Sequence, residues 1–263
     1  MSNTIRNVVT QGNCYFLPTT YYLLLPTYYF LSTTYYIEIM FELILSLDTQ
    51  LTLWFNGSDS LFVDTLATIA TKTRTWVPLG ALLMYVLVKM KNWKHLLLII
   101  LGIALAITLA DQVASGLFKP MVERLRPSHN PDLVGLIDLV NGYTGGRYGF
   151  FSSHAANTCA VAVFLSLIFR QKLFVVLIAS WCLLNCWTRL YLGVHYVGDI
   201  LTGLLWGCIV GWGVFRLYKY LLAKFKVADM QPEFQLKHSL LLSEGIMLTY
   251  AALIVYAACY TII

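Results

Sequence analysis

His195 and Asp199 stand four residues apart, a spacing that puts both on one face of a helix. There the carboxylate accepts from one imidazole nitrogen and fixes the tautomer. The other nitrogen keeps its lone pair and can act as a nucleophile. Ser152-Ser153-His154 heads an apolar run. A helix N-terminus offers unpaired N–H groups and a positive dipole end to a phosphate, and serine hydroxyls add donors. A protonated His154 can hand a proton to a departing oxygen. Lys119, Arg126 and Arg189 supply three cations, matching the charge on the three equatorial oxygens of a phosphoryl group in flight. Arginine adds bidentate contact. Each fragment alone has a plainer reading: Ser152 as an N-cap, Lys119 and Arg126 as side chains snorkelling from a span end, His195 as an interfacial residue. Together they amount to a nucleophile, its orienting carboxylate, a general acid and an anion clamp.

The chain around these residues is apolar. Of its 263 residues 59% are hydrophobic and 12% charged, against about 25% charged in a soluble domain, and the mean hydropathy is +0.70. Hydropathy predicts spans at Trp76–Met90, Leu96–Phe118, Ser152–Phe169, Leu173–Trp187, Asp199–Leu217 and Leu240–Ile262, an all-α polytopic bundle of about six transmembrane helices. Phe41–Phe55 and Ser60–Thr71 read as short helices at the interface. A loop rich in Gly and Pro, 119–151, and a short loop, 188–198, carry the charged groups. Gly203, Gly207 and Gly211 fall on one stripe below Asp199, and small residues at this spacing let helix backbones approach closely, within one chain or between two. The six cysteines form no metal-ligand set: Cys182 and Cys186 lie one turn apart with no His, Asp or Glu beside them, and packing is the reading for them. No basic run points to nucleic acid, and no metal or cofactor is expected.

Residues 1–39 differ from the rest. Leu-Pro-Thr-Thr-Tyr-Tyr at 17–22 returns in variant form at 25–29 and 31–36. The segment lacks the basic start and unbroken apolar core of a signal peptide. It reads as upstream sequence preceding a start at Met40, or as a disordered or surface-lying tail.

Charge sets the orientation. With Lys89, Lys91 and Lys94 inside, the alternation of spans also brings Arg170, Lys172, Arg216, Lys219, Lys224, Lys226 and Lys237 inside. Outside lie Lys72, Arg74, Lys119, Arg124, Arg126, Arg147 and Arg189. Setting aside the three clamp cations leaves ten inside against four outside, a positive-inside bias that puts all three fragments on the outer face. His95 and His238 fall on the inner side. Arg124 and Arg147 are further outer cations within reach of a larger headgroup, His129 is a loop or headgroup contact, and Asp111 and Gln112 are supporting or packing residues.

Lys119, six residues, Arg126-Pro127; then Phe151-Ser152-Ser153-His154; then Thr188-Arg189, five residues, His195, three residues, Asp199: this pattern resembles the type 2 phosphatidic acid phosphatase superfamily, which also holds the vanadium haloperoxidases. Phe, Ser153 and Thr188 stand where that pattern has Pro, Gly and Ser. The resemblance implies an acid phosphatase/haloperoxidase-like helical core at 40–217; it does not account for the basic cytoplasmic linker at 218–239 or the additional span at 240–263, which rest on charge and hydropathy alone. It implies a metal-independent lipid phosphatase of the bacterial inner membrane with a periplasm-facing site. His195 would form a phosphohistidine held by Asp199, and His154 would serve as general acid and base. Lys119, Arg126, Ser152, Ser153 and Arg189 would bind the phosphoryl oxygens. Undecaprenyl diphosphate or a phosphatidate-type lipid is the expected substrate, with lipid A phosphate or a non-enzymatic lipid-binding role as alternatives. Six apolar spans count against a soluble haloperoxidase.

Overall fold

The computed structural model describes residues 19–90, 92–228 and 230–262, with side chains from Tyr35 onward. Residues 1–18 of the repetitive segment and the inner cation Lys91 lie outside the described residues. Eight helices of ten residues or more are present among those described: α1 Thr19–Phe55, α2 Leu61–Ala70, α3 Val77–Lys89, α4 Trp93–Val122, α5 Ser153–Phe169, α6 Lys172–Tyr191, α7 Val197–Lys224 and α8 Pro232–Ile262. No β-strand occurs among the described residues, only an isolated bridge between Leu125 and Tyr148. The fold is an all-α membrane bundle.

Two units divide at Asp48, residues 1–47 and 48–263. In the first, α1 runs through Met40 without a break and exposes Tyr35, Tyr36, Ile37, Met40 and Phe41. The second is the bundle. Four of its helices, α4, α6, α7 and α8, are long and apolar enough to cross a membrane. They expose Leu101, Val176, Leu205, Trp212, Leu248 and Val255, a distribution suited to lipid rather than water.

Of the six predicted spans, those at 76–90 and 152–169 form shorter helices. α5 needs no lipid-facing length because it is enclosed. It packs against α4, α6 and α7, and Ala155, Ala156, Cys159, Ala160, Ala162, Phe164 and Leu165 are buried on all sides of it. The glycine stripe is what lets α7 come so close to α5. A Cβ at Gly203, Gly207 or Gly211 would lie 2.6 Å from the carbonyl oxygen of Ser152, Ala156 or Ala160 respectively. The stripe therefore packs within one chain. α8 packs on α2, α3 and α6, and only residues 225–231 connect it to α7.

The antiparallel run α4–α5–α6–α7 gathers the C-terminal ends of α4 and α6 and the N-terminal ends of α5 and α7 at one end of the bundle. Each end is defined locally. Ser152 and Gln171 cap α5 and α6 by accepting from the amides of Ala155 and Phe174. The turn before α7 is made by Gly193 at φ +65°, a conformation open to glycine at little cost. At the opposite end His95 is hydrogen-bonded to Tyr218.

Candidate active site

Asp199 is the most constrained group at this end. It is fully buried, and its position in the first turn of α7 lets Oδ2 accept from the Tyr196 amide at 3.1 Å and from His195 Nδ1 at 3.3 Å. Oδ1 accepts from Arg124 at 2.9 Å. With Nδ1–H donated to Asp199, the lone pair of His195 sits on Nε2, the nitrogen left for a substrate. Burial drives the pKa of His195 down to about 4; the Asp199 hydrogen bond and charge oppose this, while Arg126 and Arg189 reinforce it. The imidazole is neutral at ordinary pH, as a nucleophile must be.

Arg124 is held by two carboxylates. Its guanidinium bridges Asp199 and, at 2.7 Å, Asp48 near the end of α1, and it stacks 3.9 Å over the Tyr196 ring. Asp48 in turn accepts from the Gly198 amide at 2.7 Å, and Thr52 Oγ1 accepts from the Val197 amide at 3.1 Å. The start of α7 is thus pinned by α1 and Arg124 together. Left-handed Glu123 (φ 50°) turns the chain out of α4 toward this contact.

Lys119 lies on the last turn of α4, beyond a π-helical stretch at Gln112–Phe118. Such stretches accumulate at functional sites. Its Nζ donates to Ser115 and to Ser153, each at 3.1 Å, and Ser115 donates to Asp111 at 3.2 Å. Asp111 therefore steers the lysine through one hydroxyl. Ser152 behaves differently from its neighbour. Its side chain is wholly buried and turned to the α5 cap, while its amide donates to the Asp199 carbonyl at 3.1 Å. The hydroxyl beside the lysine is that of Ser153, while that of Ser152 caps the helix.

Arg126 is held by the glycine loop. Its amide donates to the Arg147 carbonyl, and its Nε to the Tyr148 carbonyl at 3.1 Å. A Cβ at Gly145 would sit 2.4 Å from its guanidinium, and one at Gly149 would sit 2.9 Å from Asp199; only glycine admits both groups. Burial, then the neighbouring Arg189, lowers the pKa of Arg126. Two guanidiniums this close in a buried setting favour an anion between them.

Arg189, on the last turn of α6, is 2% exposed. It donates to Thr71 at 2.6 Å and to the Tyr143 hydroxyl at 3.2 Å, and its Nε has no partner among the described residues. A buried, unpartnered guanidinium N–H is costly and is what an incoming anion would satisfy. Burial would raise the pKa of Tyr143, but Arg189 and Arg126 outweigh it and lower it.

His154, on the first turn of α5, is exposed and lines a cleft of about 670 Å³ with Arg189, Tyr143 and the connection between α2 and α3. Desolvation in the cleft, followed by the charges of Arg189, His195, Lys119 and Arg126, lowers the pKa of His154 to about 3; an anion bound among those cations opposes the shift and favours the protonated ring. Lys119 feels the charges of Arg126, Asp111, Arg189 and Asp199. The structure thus brings Lys119, Arg126, Ser153, His154, Arg189, His195 and Asp199 into one neighbourhood. His129 pairs with Ser128 instead, and Arg147 lies over the Tyr148 ring. Among the described residues no cluster of His, Cys, Asp or Glu could hold a metal ion.

The PAP2 superfamily pattern matches residues 95–223. A lipid A 4′-phosphatase from Bacteroides thetaiotaomicron is 41% identical over 189 residues, spanning 71% of this chain and 84% of that protein. The chain belongs to the PAP2 superfamily. A lipid A 4′-phosphatase from Porphyromonas gingivalis is 37% identical over 68% of this chain and 76% of its own length. The crystal structure of a transmembrane PAP2-type phosphatidylglycerolphosphate phosphatase from Bacillus subtilis is 20% identical, with a TM-score of 0.48 over 72% of this chain and 89% of that one. This PAP2 protein is an integral membrane lipid phosphatase.

Asp48, Thr71, Ser115 and Tyr143 escaped the sequence reading. For Asp48 a signal existed: with Glu42 it is one of two carboxylates in the apolar run 41–55, where charge is expensive. Thr71, Ser115 and Tyr143 carry no signal apart from the tertiary contact itself.

Proposed function

We propose that this PAP2 protein hydrolyses the phosphate monoester of a lipid A-type glycolipid through a phosphohistidine. The observation that carries the chemistry is the gathering of Lys119, Arg126 and Arg189 around the His195–Asp199 pair. The substrate class rests on the similarity to the two lipid A 4′-phosphatases, and the expectation of undecaprenyl diphosphate gives way to it.

In the first step His195 Nε2 attacks phosphorus, and the bond from phosphorus to the lipid oxygen breaks. His154 gives its proton to that oxygen, releasing the lipid alcohol. In the second step water attacks phosphorus, the bond from phosphorus to His195 Nε2 breaks, His154 takes the water's proton, and inorganic phosphate leaves. Lys119, Arg126, Arg189 and Ser153 hold the three non-bridging oxygens throughout, and such prepositioned charge is the main source of catalysis in phosphoryl transfer. Asp199 keeps the nucleophile in the correct tautomer. The positive-inside pattern supports insertion in the bacterial inner membrane with this end of the bundle in the periplasm.

The test is release of inorganic phosphate by purified protein in detergent containing EDTA. Lipid A, undecaprenyl diphosphate and phosphatidate are compared side by side, with His195→Ala as control. Lipid A should turn over fastest, and only in the wild type. Equal rates for the variant, or complete loss in EDTA, would refute the mechanism.

A further inference from the structure

The cleft that holds His154 and Arg189 is larger than its chemistry needs. A phosphoryl group occupies a small part of about 670 Å³, a volume in the range of sites that house a whole small molecule, roughly 300–1,000 Å³. One wall is formed by Thr68 near the end of α2 and by Thr71, Lys72, Thr73 and Arg74 of the connection from α2 to α3. Neither Lys72 nor Arg74 has an acidic partner among the described residues, and no carboxylate lines the cleft. The clamp on the reacting phosphate is complete without these two cations.

The wall is built, not loose. Thr75 Oγ1 donates to the Ile69 carbonyl at 2.7 Å, Trp76 Nε1 to the Ala70 carbonyl at 2.9 Å, and the Thr71 amide to the Ala67 carbonyl at 3.1 Å. Thr71, one residue before Lys72, is tied to Arg189. The backbone that carries Lys72 and Arg74 is therefore anchored beside Arg189. Asn141 and Thr68, in contact at 3.5 Å across the cleft, add an amide and a hydroxyl suited to sugar hydroxyls.

We infer that Lys72 and Arg74 form a second anion subsite, which binds a further phosphate or carboxylate borne by the headgroup of the same lipid whose other phosphate is cleaved at His195. This rests on the phosphatase reading above and narrows its substrate class: headgroups with two separated anionic groups are preferred over those with one. Prepositioned cations act here on binding rather than on chemistry, so the preference should lie in KM.

The test uses a glucosamine-disaccharide lipid phosphorylated at the 4′ position alone, the same lipid with a second phosphate on the other sugar, and one with a carboxylate there. Wild-type protein should favour each doubly anionic lipid by about ten-fold in kcat/KM, equivalent to about 1.4 kcal/mol, through KM. The advantage should shrink as salt is raised. The double variant K72A/R74A should lose that advantage while cleaving the singly phosphorylated lipid at the wild-type rate, and K72E/R74E should invert it. An advantage for the second phosphate alone would restrict the subsite to phosphate. Equal handling of all three lipids by wild-type protein, or equal loss on all three in folded K72A/R74A of wild-type thermal stability, would overturn the subsite. No hydrolysis of the singly phosphorylated lipid by wild type would instead overturn the phosphatase reading.

Discussion

Replacing Arg124 by alanine should weaken the fold and retune the nucleophile together. The guanidinium joins Asp48 at 2.7 Å and Asp199 at 2.9 Å, with side-chain exposures of 21% for Arg124, 11% for Asp48 and 0% for Asp199. Stripping one partner from a fully buried ion pair costs about 3–5 kcal/mol. Arg124 is a fifth open, so water can partly replace it, and about 2–3 kcal/mol is expected, nearer the loss of hydrogen bonds to charged groups. For a domain of this size that is a fall in Tm of roughly 4–12 °C. The second effect is electrostatic. Without its cation, Asp199 pulls harder on the His195 proton, and the His195 pKa rises from about 4 toward its ordinary 6.5. The acid limb of kcat/KM should move upward by the same amount. Arg124→Lys should recover part of the stability, since one ammonium cannot span both carboxylates as a planar fork does. The assay is thermal unfolding in detergent beside a pH profile from 3 to 8. An R124A protein with unchanged Tm and an unmoved acid limb would refute the buttressing role.

Other outcomes follow from the same geometry. A methyl group at Gly203 would meet the Ser152 carbonyl at 2.6 Å, whereas one at Gly213 would meet nothing within 4 Å. Gly203→Ala should therefore cost about 1–3 kcal/mol and reduce kcat by displacing Ser153 and His154, while Gly213→Ala should hold or raise Tm by thermal unfolding, because Ala favours the helix by up to about 1 kcal/mol. His195 is buried and neutral, with its folded pKa lowered from 6.5 to about 4. The unfolded chain binds the extra proton first, so the stability this residue contributes is complete above pH 6.5 and is lost as pH falls through 4. The gap between wild type and His195→Gln, measured by denaturation, should close by about 3 kcal/mol over that window. Asp199→Asn should invert the imidazole tautomer, putting the proton on Nε2, and cut kcat by about 10³–10⁴ with little change in KM.

Much of the candidate site was legible because it is encoded by spacing along single helix ends. Lys119, Arg126, His154, Arg189, His195 and Asp199 could be named before any contact was known, and positive-inside counting put them on one side together. The spans were legible from hydropathy, but their ends were not. α4 runs on to Val122 through a π-helical stretch whose residues are no less apolar than those of an α-turn, and α7 reaches Lys224 because long basic side chains at a span end lie well at the interface. Roles that depend on what a side chain faces were hidden. Arg124 and Arg126 are two residues apart with the same charge, yet the Leu125–Tyr148 bridge sends one to Asp199 and Asp48 and the other toward the glycine loop. Ser152 and Ser153 are identical in type, and only the helix cap decides which hydroxyl reaches Lys119.

Vanadate is the most direct probe of whether these groups surround one phosphorus. In a structure of the protein soaked with vanadate, the metal should be bonded to His195 Nε2, with Lys119, Arg126 and Arg189 on its equatorial oxygens and His154 on the apical oxygen opposite. Vanadate bonded through His154, or lodged apart from the two arginines, would contradict the shared site.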